Sequence, residues 1–249
     1  MVAVMHHEGD MRLKWEINND SLDKWREFVN ANIANDFVKD RKSRNITRRK
    51  VDLSSERIWH VLVGCQVTTQ QRSGPNSNVS KFLNSNSPAL TYKTCLKHSD
   101  KKQFIYSELS NVGLRRSNVM ADNLSKIIEY LESGGWRDLK SELETIQKNT
   151  TKLKERKVAN NIAKTFPGLG PKQSRNFIQW LGLSRYEIPL DSRVTRTMKK
   201  LGCTFVPYAS ALSDLTVYYL IQEGLQEIAA KLEIYPCILD ACIFSSFDV

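Results

Sequence analysis

A short stretch in the last third of the chain, residues 166–194, constrains the fold more than any other. It begins with the run Phe-Pro-Gly-Leu-Gly-Pro-Lys at 166–172 and ends with Ile-Pro-Leu-Asp-Ser-Arg-Val at 188–194. Apolar residues recur at helical spacing before and after the first run, which is the pattern of an amphipathic helix on each side. The sequence therefore predicts two helices joined by a tight turn.

The turn itself suits contact with an anion. Gly168 and Gly170 can take backbone angles that other residues resist, and they let another backbone come close. Pro171 fits the first position of the second helix, where its missing N–H would have no partner. We expect free amides at the positive end of a helix dipole, which favour a phosphate.

Residues 167–172, together with the Pro-Leu-Asp run at 189–191, resemble the helix-hairpin-helix and catalytic Asp of the DNA base-excision glycosylase superfamily. Lys172 resembles the Lys of the bifunctional members, which remove a damaged base and then cut the strand. Asp191 follows Lys172 by 19 positions, which is similar to the 8-oxoguanine glycosylase branch. The resemblance covers about residues 55 to 245. A Pro-Gly-x-Gly turn alone is a weak signal, but with this Lys and Asp it becomes a strong one.

This resemblance implies an all-α fold of two helical lobes with an active-site cleft between them. Residues 58–182 would form the central lobe with the hairpin. Residues 1–57 and 183–249 would form the second lobe, the latter range carrying the catalytic Asp.

Lys172 and Asp191 are the predicted catalytic residues. An uncharged Lys172 amine can attack the anomeric carbon of the damaged nucleotide and persist as a Schiff base, which permits strand cleavage by β-elimination. Asp191 should cap the helix that starts near Ser192, and an ionised carboxylate there would stabilise a cation-like sugar. Taken singly, each residue has a simpler reading, as a surface Lys and a plain capping Asp.

Five residues are predicted to contact DNA. Gly168 and Gly170 would present backbone amides, and Arg193 and Arg196 would hold phosphates without reading sequence. Gln66 matches the place of the family residue that enters the duplex and fills the space left by the extruded base. A surface Gln that merely ends a helix is the alternative.

Asp240 and Phe244 on the last helix resemble the Asp and aromatic residue that the short 8-oxoguanine glycosylases bring to the damaged base. Family members often carry Trp where this chain has Phe244. Packing of Phe244 in the core remains the alternative, because an aromatic at helical spacing usually packs.

Composition agrees with a polyanionic partner. The 249 residues include 37 Lys and Arg against 27 Asp and Glu, for a formal net charge of +10. Clustered cations release counterions when they meet phosphates. The five scattered cysteines fit reduced thiols in an intracellular protein, and they lack the compact spacing of an iron–sulfur cluster. No signal peptide or membrane-spanning run is recognisable.

We therefore expect a bifunctional DNA glycosylase/AP lyase that acts on damaged double-stranded DNA, with 8-oxoguanine as its substrate. It should require no cofactor, although a structural monovalent cation at the hairpin stays open, and it should be an intracellular, DNA-associated monomer with no membrane partner. Two alternatives remain: a glycosylase for another damaged base, and a non-catalytic hairpin protein that only grips DNA.

Outside the motif, the sequence reads as a succession of helices with no alternating pattern that requires a sheet. The apolar spacing predicts one amphipathic helix over Ser21–Lys39 with Ser21 as its cap, and a long helix over Ala209–Leu232. The basic run 41–50 is either a DNA-facing connection or a solvated loop. Arg175 and the basic run 152–157 could extend the DNA surface.

Overall fold

The structure, a computed structural model, describes residues 2–8, 10–48, 50–72, 74, 76–85 and 89–247, with the backbone alone for residues 2–13. Its α-helices are α1 (Asn19–Asn32), α2 (Asp36–Lys42), α3 (Ser55–Val67), α4 (Asn78–Leu83), α5 (Tyr92–Lys97), α6 (Lys101–Asn111), α7 (Ser117–Tyr130), α8 (Trp136–Lys148), α9 (Lys152–Thr165), α10 (Pro171–Trp180), α11 (Ser192–Lys200), α12 (Leu215–Lys231) and α13 (Pro236–Ser245). The predicted all-α class is confirmed.

One small sheet was not predicted. Strands β1 (Val2–Glu8) and β2 (Asp10–Glu16) pair antiparallel in a hairpin. The Trp15 indole Nε1 at the end of β2 donates a 2.6 Å hydrogen bond to the Leu220 carbonyl in α12, which anchors the hairpin. The sequence analysis missed this sheet, although Met11, Leu13 and Trp15 alternate with charged residues along β2, which is the pattern of a strand.

The chain divides into two compact units. One of them is continuous and covers residues 50–183. Its core surrounds α3, whose start is capped by Ser54: the hydroxyl accepts a hydrogen bond from the Arg57 amide at 3.3 Å. Nine of the thirteen residues of α3 are buried, so this helix is packed on all sides rather than along one stripe. The Val51 amide donates to Gln147 at 2.8 Å, which ties residues just before α3 to α8.

The second unit joins residues 1–49 with residues 184–249. In its core, α13 packs against α1, α2, α11 and α12. α13 is apolar around its whole circumference and is buried at nine of its ten residues. The first boundary between the units thus falls at residue 49, whereas the sequence analysis placed it at 57.

The predicted helix over Ser21–Lys39 is wrong in extent, because two helices occupy this range. Asn18, and not Ser21, caps α1: its side chain accepts from the Ser21 amide at 2.8 Å. The Asn35 side chain accepts from the Phe37 amide at 2.9 Å and starts α2. Apolar spacing continued across the break because both helices bury residues in the same core.

The basic run 41–50 is largely helical rather than a loop. It continues α2 to Lys42 and then forms a π-helical turn over Ser43–Thr47. Arg41 is only 2% exposed, so it faces the core and not a polyanion. The interpretation of this run as a solvated or DNA-facing connection is therefore wrong at its first residue.

The C-terminal helices are shorter than predicted. A 3-10 turn occupies Ala209–Ser213, and the Asp214 carboxylate then caps α12 by accepting from the amides of Thr216 and Val217. Pro236 stands at the first position of α13, where proline is favoured. Among the described residues, no helix combines the length and the apolar character needed to cross a bilayer.

Candidate active site

The predicted hairpin is present in the unit of residues 50–183. α9 ends at Thr165, and α10 begins at Pro171. The turn closes through a 3.1 Å hydrogen bond from the Leu169 amide to the Phe166 carbonyl, and Gly168 takes a left-handed φ of 81°. This conformation favours glycine, because a Cβ there would approach the backbone too closely.

The side chain of Gln66 fixes this turn through hydrogen bonds. Its Nε2 donates a 2.6 Å hydrogen bond to the Pro167 carbonyl, and its Oε1 accepts one from Asn123 at 3.2 Å. Gln66 is 1% exposed. A Cβ at Gly168 would lie 2.5 Å from Gln66 Oε1 and closer still to Asn123. The side chain is thus committed to the interior, and the prediction that Gln66 enters the duplex does not fit this placement.

Gly170 has a different environment from Gly168. It is exposed, it forms the N-cap of α10 without a side-chain cap, and a Cβ built on it meets nothing within 4 Å. Nothing within the protein therefore requires a glycine here. As the start of α10 without a side-chain cap, Gly170 stands where a helix attracts a phosphate.

Lys172 is the second residue of α10 and is half-buried. Burial raises the pKa of the Cys65 thiol above its ordinary range, and the charge of Lys172 opposes this shift. Cys65 lies on α3, so the Lys172 amine is near enough to that helix to act on the thiol electrostatically. Lys172 thus lies on the hairpin that carries Gly170, close to α3.

Arg175 holds the hairpin together and is not part of a DNA surface. It is fully buried, and its guanidinium donates to Asn160 Oδ1 at 2.8 Å and to the Ser174 hydroxyl at 3.2 Å. Asn160 belongs to α9, so this bond joins the two hairpin helices. The sequence analysis missed this role, because no local pattern distinguishes a buried Arg from a surface Arg.

Asp191 is the N-cap of α11, as predicted. Its Oδ1 accepts from the Arg193 amide at 2.8 Å. The extended segment before it is clamped by the buried Tyr218 hydroxyl, which accepts from the Leu190 amide at 2.9 Å and donates to the Ile188 carbonyl at 2.7 Å. Tyr218 was not predicted as a site residue, because nothing local in the sequence shows which distant backbone groups its hydroxyl will reach.

The Arg193 side chain covers the same carboxylate. Its Nη2 and Nε donate to Asp191 Oδ2 at 2.9 and 3.2 Å, and its guanidinium carbon lies 4.1 Å from the centre of the Phe244 ring. The Phe37 ring stacks on Phe244 at 4.7 Å between centres. The structure thus brings Asp191, Arg193 and Phe244 together in the unit built from both chain ends.

Asp240 and Arg196 make other contacts. Asp240 forms a 2.9 Å ion pair with the guanidinium of Arg41 and is 8% exposed. This ion pair joins α13 to α2, and contact of Asp240 with the base stays a prediction. Arg196 is exposed and lies over the Phe247 ring at 4.8 Å, so it remains available to a phosphate.

No family model matches this sequence, and neither does any curated protein. Solved structures do match. The 8-oxoguanine DNA glycosylase of Methanocaldococcus jannaschii has a TM-score of 0.67 and 15% identity, over 90% of this chain and 92% of that one. An 8-oxoguanine glycosylase/lyase of the same organism, in complex with 15mer DNA containing 8-oxoguanine, has a TM-score of 0.68 and 15% identity over 91% and 96%.

A third similar structure is the 8-oxoguanine DNA glycosylase of Thermotoga maritima, with a TM-score of 0.63 and 15% identity over 91% of this chain and 97% of that one. These three proteins and this chain therefore share one fold along nearly their whole lengths.

Proposed function

We propose that this protein is a bifunctional DNA glycosylase/AP lyase that excises 8-oxoguanine from duplex DNA. The observation that carries the proposal is the placement of Lys172 and Asp191, one in the first turn of α10 and the other capping α11, on a fold shared with 8-oxoguanine glycosylases. Each side chain stands where a helix start supplies positive potential.

In the proposed reaction, the neutral Lys172 amine attacks C1′ of the damaged nucleotide. The bond from C1′ to the base breaks, and its electron pair leaves with the base. The ionised Asp191 stabilises the cation-like sugar while this happens, as carboxylates do in glycoside hydrolysis. The attached nitrogen gives one proton to the departing base and one to O4′, as the C1′–O4′ bond breaks and the C=N bond of the Schiff base forms. A general base then takes the proton from C2′, and the bond from C3′ to the phosphate oxygen breaks with its electron pair leaving on the phosphate.

Backbone and guanidinium groups would hold the DNA. The open space at Gly170 supports approach of a phosphate to the first amides of α10. Arg193 and Arg196 are the proposed side-chain contacts to phosphates, and a net charge of +10 would favour the encounter. Gly168 and Gln66 fix the shape of the turn, and their direct contact with DNA stays a prediction.

Several further expectations stay predictions: a monomer, no required cofactor, and a structural monovalent cation at the hairpin. Two turn carbonyls, those of Phe166 and Pro167, already accept hydrogen bonds, so a cation would have to share them. All five cysteines are free and buried, which fits a protein kept reduced while it acts on DNA inside the cell.

Covalent trapping tests the proposal. A duplex with one 8-oxoguanine, incubated with the protein and borohydride, should give a covalent adduct, because borohydride reduces the Schiff base. Lys172→Gln should abolish the adduct, whereas Lys164→Gln, at an exposed position of α9, should not. Absence of an adduct with the unmodified protein would refute the lyase activity.

Asp191→Asn tests the second group. Asn also caps helices, so the fold should persist, but base release should slow about 10²–10³-fold because the carboxylate charge is lost. Asp214→Asn is the matched control, since Asp214 caps α12 in the same way. Base release by Asp191→Asn as fast as by Asp214→Asn would refute the catalytic role of Asp191. Salt-sensitive DNA binding with no base release by any form would favour the non-catalytic alternative. A panel of duplexes with other lesions separates the alternative substrates.

A further inference from the structure

A single guanidinium occupies two parts of the proposed site at once. Arg193 donates two hydrogen bonds to Asp191 Oδ2 and lies 4.1 Å from the centre of the Phe244 ring. Phe244 is the aromatic residue proposed to stack on the damaged base. In the absence of DNA, therefore, the same side chain covers both the carboxylate and the ring.

The other face of Phe244 is also taken. The Phe37 ring lies 4.7 Å away at an angle of 18°, and Arg41 lies over Phe37 at 5.2 Å. A six-membered ring is too small to carry a second ring and a guanidinium on one face at these distances, so Phe37 and Arg193 lie on opposite faces. Because Phe37 covers one face of Phe244, a base that stacks on the ring would take the place of Arg193 on the other face.

The two Arg–Asp pairs around this ring differ in how easily they can open. The Arg193 and Asp191 side chains keep 25% and 17% of their surface exposed, against 3% and 11% for Arg41 and Asp240. Water and a phosphate can reach the first pair, whereas the second would have to open inside the core. Phe37 and Arg41 therefore form a fixed wall, and Arg193 is the movable part.

We propose that Arg193 is a gating residue that holds the base pocket closed until DNA arrives. Resting on the proposed function, this inference gives Arg193 two alternative positions. In the closed position it lies on Asp191 and Phe244. In the open position it binds a phosphate that flanks the extruded nucleotide, which uncovers the ring and the carboxylate together.

Competition between ligands provides the coupling. A phosphate competes with Asp191 for the guanidinium, and an extruded base competes with the guanidinium for Phe244. A ligand shifts such an equilibrium only by its different affinity for the two positions. A duplex supplies both competitors, but a free base supplies only one, so the free base must displace Arg193 without compensation.

Binding of the free 8-oxoguanine base tests this directly. Arg193→Gln should bind the base more tightly than the unmodified protein, because a closed population lowers the apparent affinity in proportion to the open fraction; a closed position that dominates at about two to one or more corresponds to a gain of at least about threefold. The same variant should bind a lesion duplex more weakly, because it loses a phosphate contact. Lys199→Gln, an exposed change on the same helix with the same loss of charge, should leave base binding unaltered.

Tighter binding of the free base together with weaker binding of the duplex would support the gate, because a general loss of structure would weaken the binding of both ligands. Unchanged or weaker base binding by Arg193→Gln would overturn it. If that variant did not fold, the δ-protons of Arg193 in the unmodified protein would decide. Their ring-current shift from Phe244 should disappear on addition of the free base, and a shift that persists at saturation would overturn the proposal.

The trapping experiment separates the two levels of inference. An adduct with the unmodified protein, combined with no tightening in Arg193→Gln, would leave the enzyme proposal standing and remove the gate. Neither an adduct nor base binding by any form would remove both.

Discussion

The surroundings of the two proposed catalytic side chains are built from different chemistry. Near Lys172, the hairpin turn is fixed by uncharged amides: Gln66 bonds to Pro167 and accepts from Asn123. Near Asp191, the contacts are ionic, through the guanidinium of Arg193. Buried amide bonds keep one geometry because breaking them leaves unsatisfied groups, whereas a partly exposed ion pair can be exchanged for a phosphate. The hairpin is therefore preformed, and the acid site is adjustable.

The ion pair Arg41–Asp240 is buried, unlike the partly exposed pair Arg193–Asp191. Breaking it should give the largest loss in the free energy of unfolding. Arg41→Met leaves Asp240 without its buried partner and should lower the free energy of unfolding by about 3–5 kcal/mol, measured by urea denaturation. Combining it with Asp240→Leu should recover much of the loss. Lys39→Met breaks an exposed pair on the same helix and should cost under about 1 kcal/mol. Similar losses for Arg41→Met and Lys39→Met would show that burial does not distinguish these pairs.

The two turn glycines, Gly168 and Gly170, test whether the hairpin turn is held in one geometry. Gly168→Ala introduces a left-handed alanine and a Cβ in contact with Gln66, and it should destabilise the protein by about 2–3 kcal/mol. Gly170→Ala meets open space, so its cost should stay below about 1 kcal/mol, yet it should weaken binding to duplex DNA. Unfolding curves and DNA titrations of both variants are required. A stable Gly168→Ala protein would mean that the turn is not locked.

Substitution of Gln66 should have the smallest effect of the three on the free energy of unfolding. Gln66→Ala leaves the Pro167 carbonyl without its amide donor and should lower the free energy of unfolding by about 1–2 kcal/mol. Gln70→Ala, at an exposed position three residues after the end of α3, should change it by less than about 0.5 kcal/mol. If Gln66→Ala kept full stability but lost affinity for lesion duplexes, the predicted insertion of Gln66 into DNA would be restored.

Local signals succeeded where the physics is local. The turn at 167–171 was predicted because Gly and Pro restrict or free the backbone whatever surrounds them. Asp191 was correctly placed at a helix start, since a short side chain that accepts from a nearby amide acts within one turn. Ser21 failed by the same rule, because Asn18 offers a competing cap three residues earlier.

Charged and amide side chains were the main source of error. Arg41, Arg175 and Asp240 were interpreted as surface or pocket groups, and all three are buried with charged or polar partners. The partner of Arg41 lies 199 positions away in the sequence. No local pattern can show that such a pair will meet, and an isolated buried charge would be too costly to predict in advance.

The sequence by itself determined the helical class, the hairpin turn and the two residues suited to the chemistry, Lys172 and Asp191, because backbone preferences and side-chain reactivity belong to each residue. Only the tertiary structure decided what those residues touch. It turned Gln66 inward, buried Asp240 against Arg41, and laid Arg193 over Asp191 and Phe244. The reason is that burial and partnership depend on which distant segments pack together, and packing is a property of the whole chain.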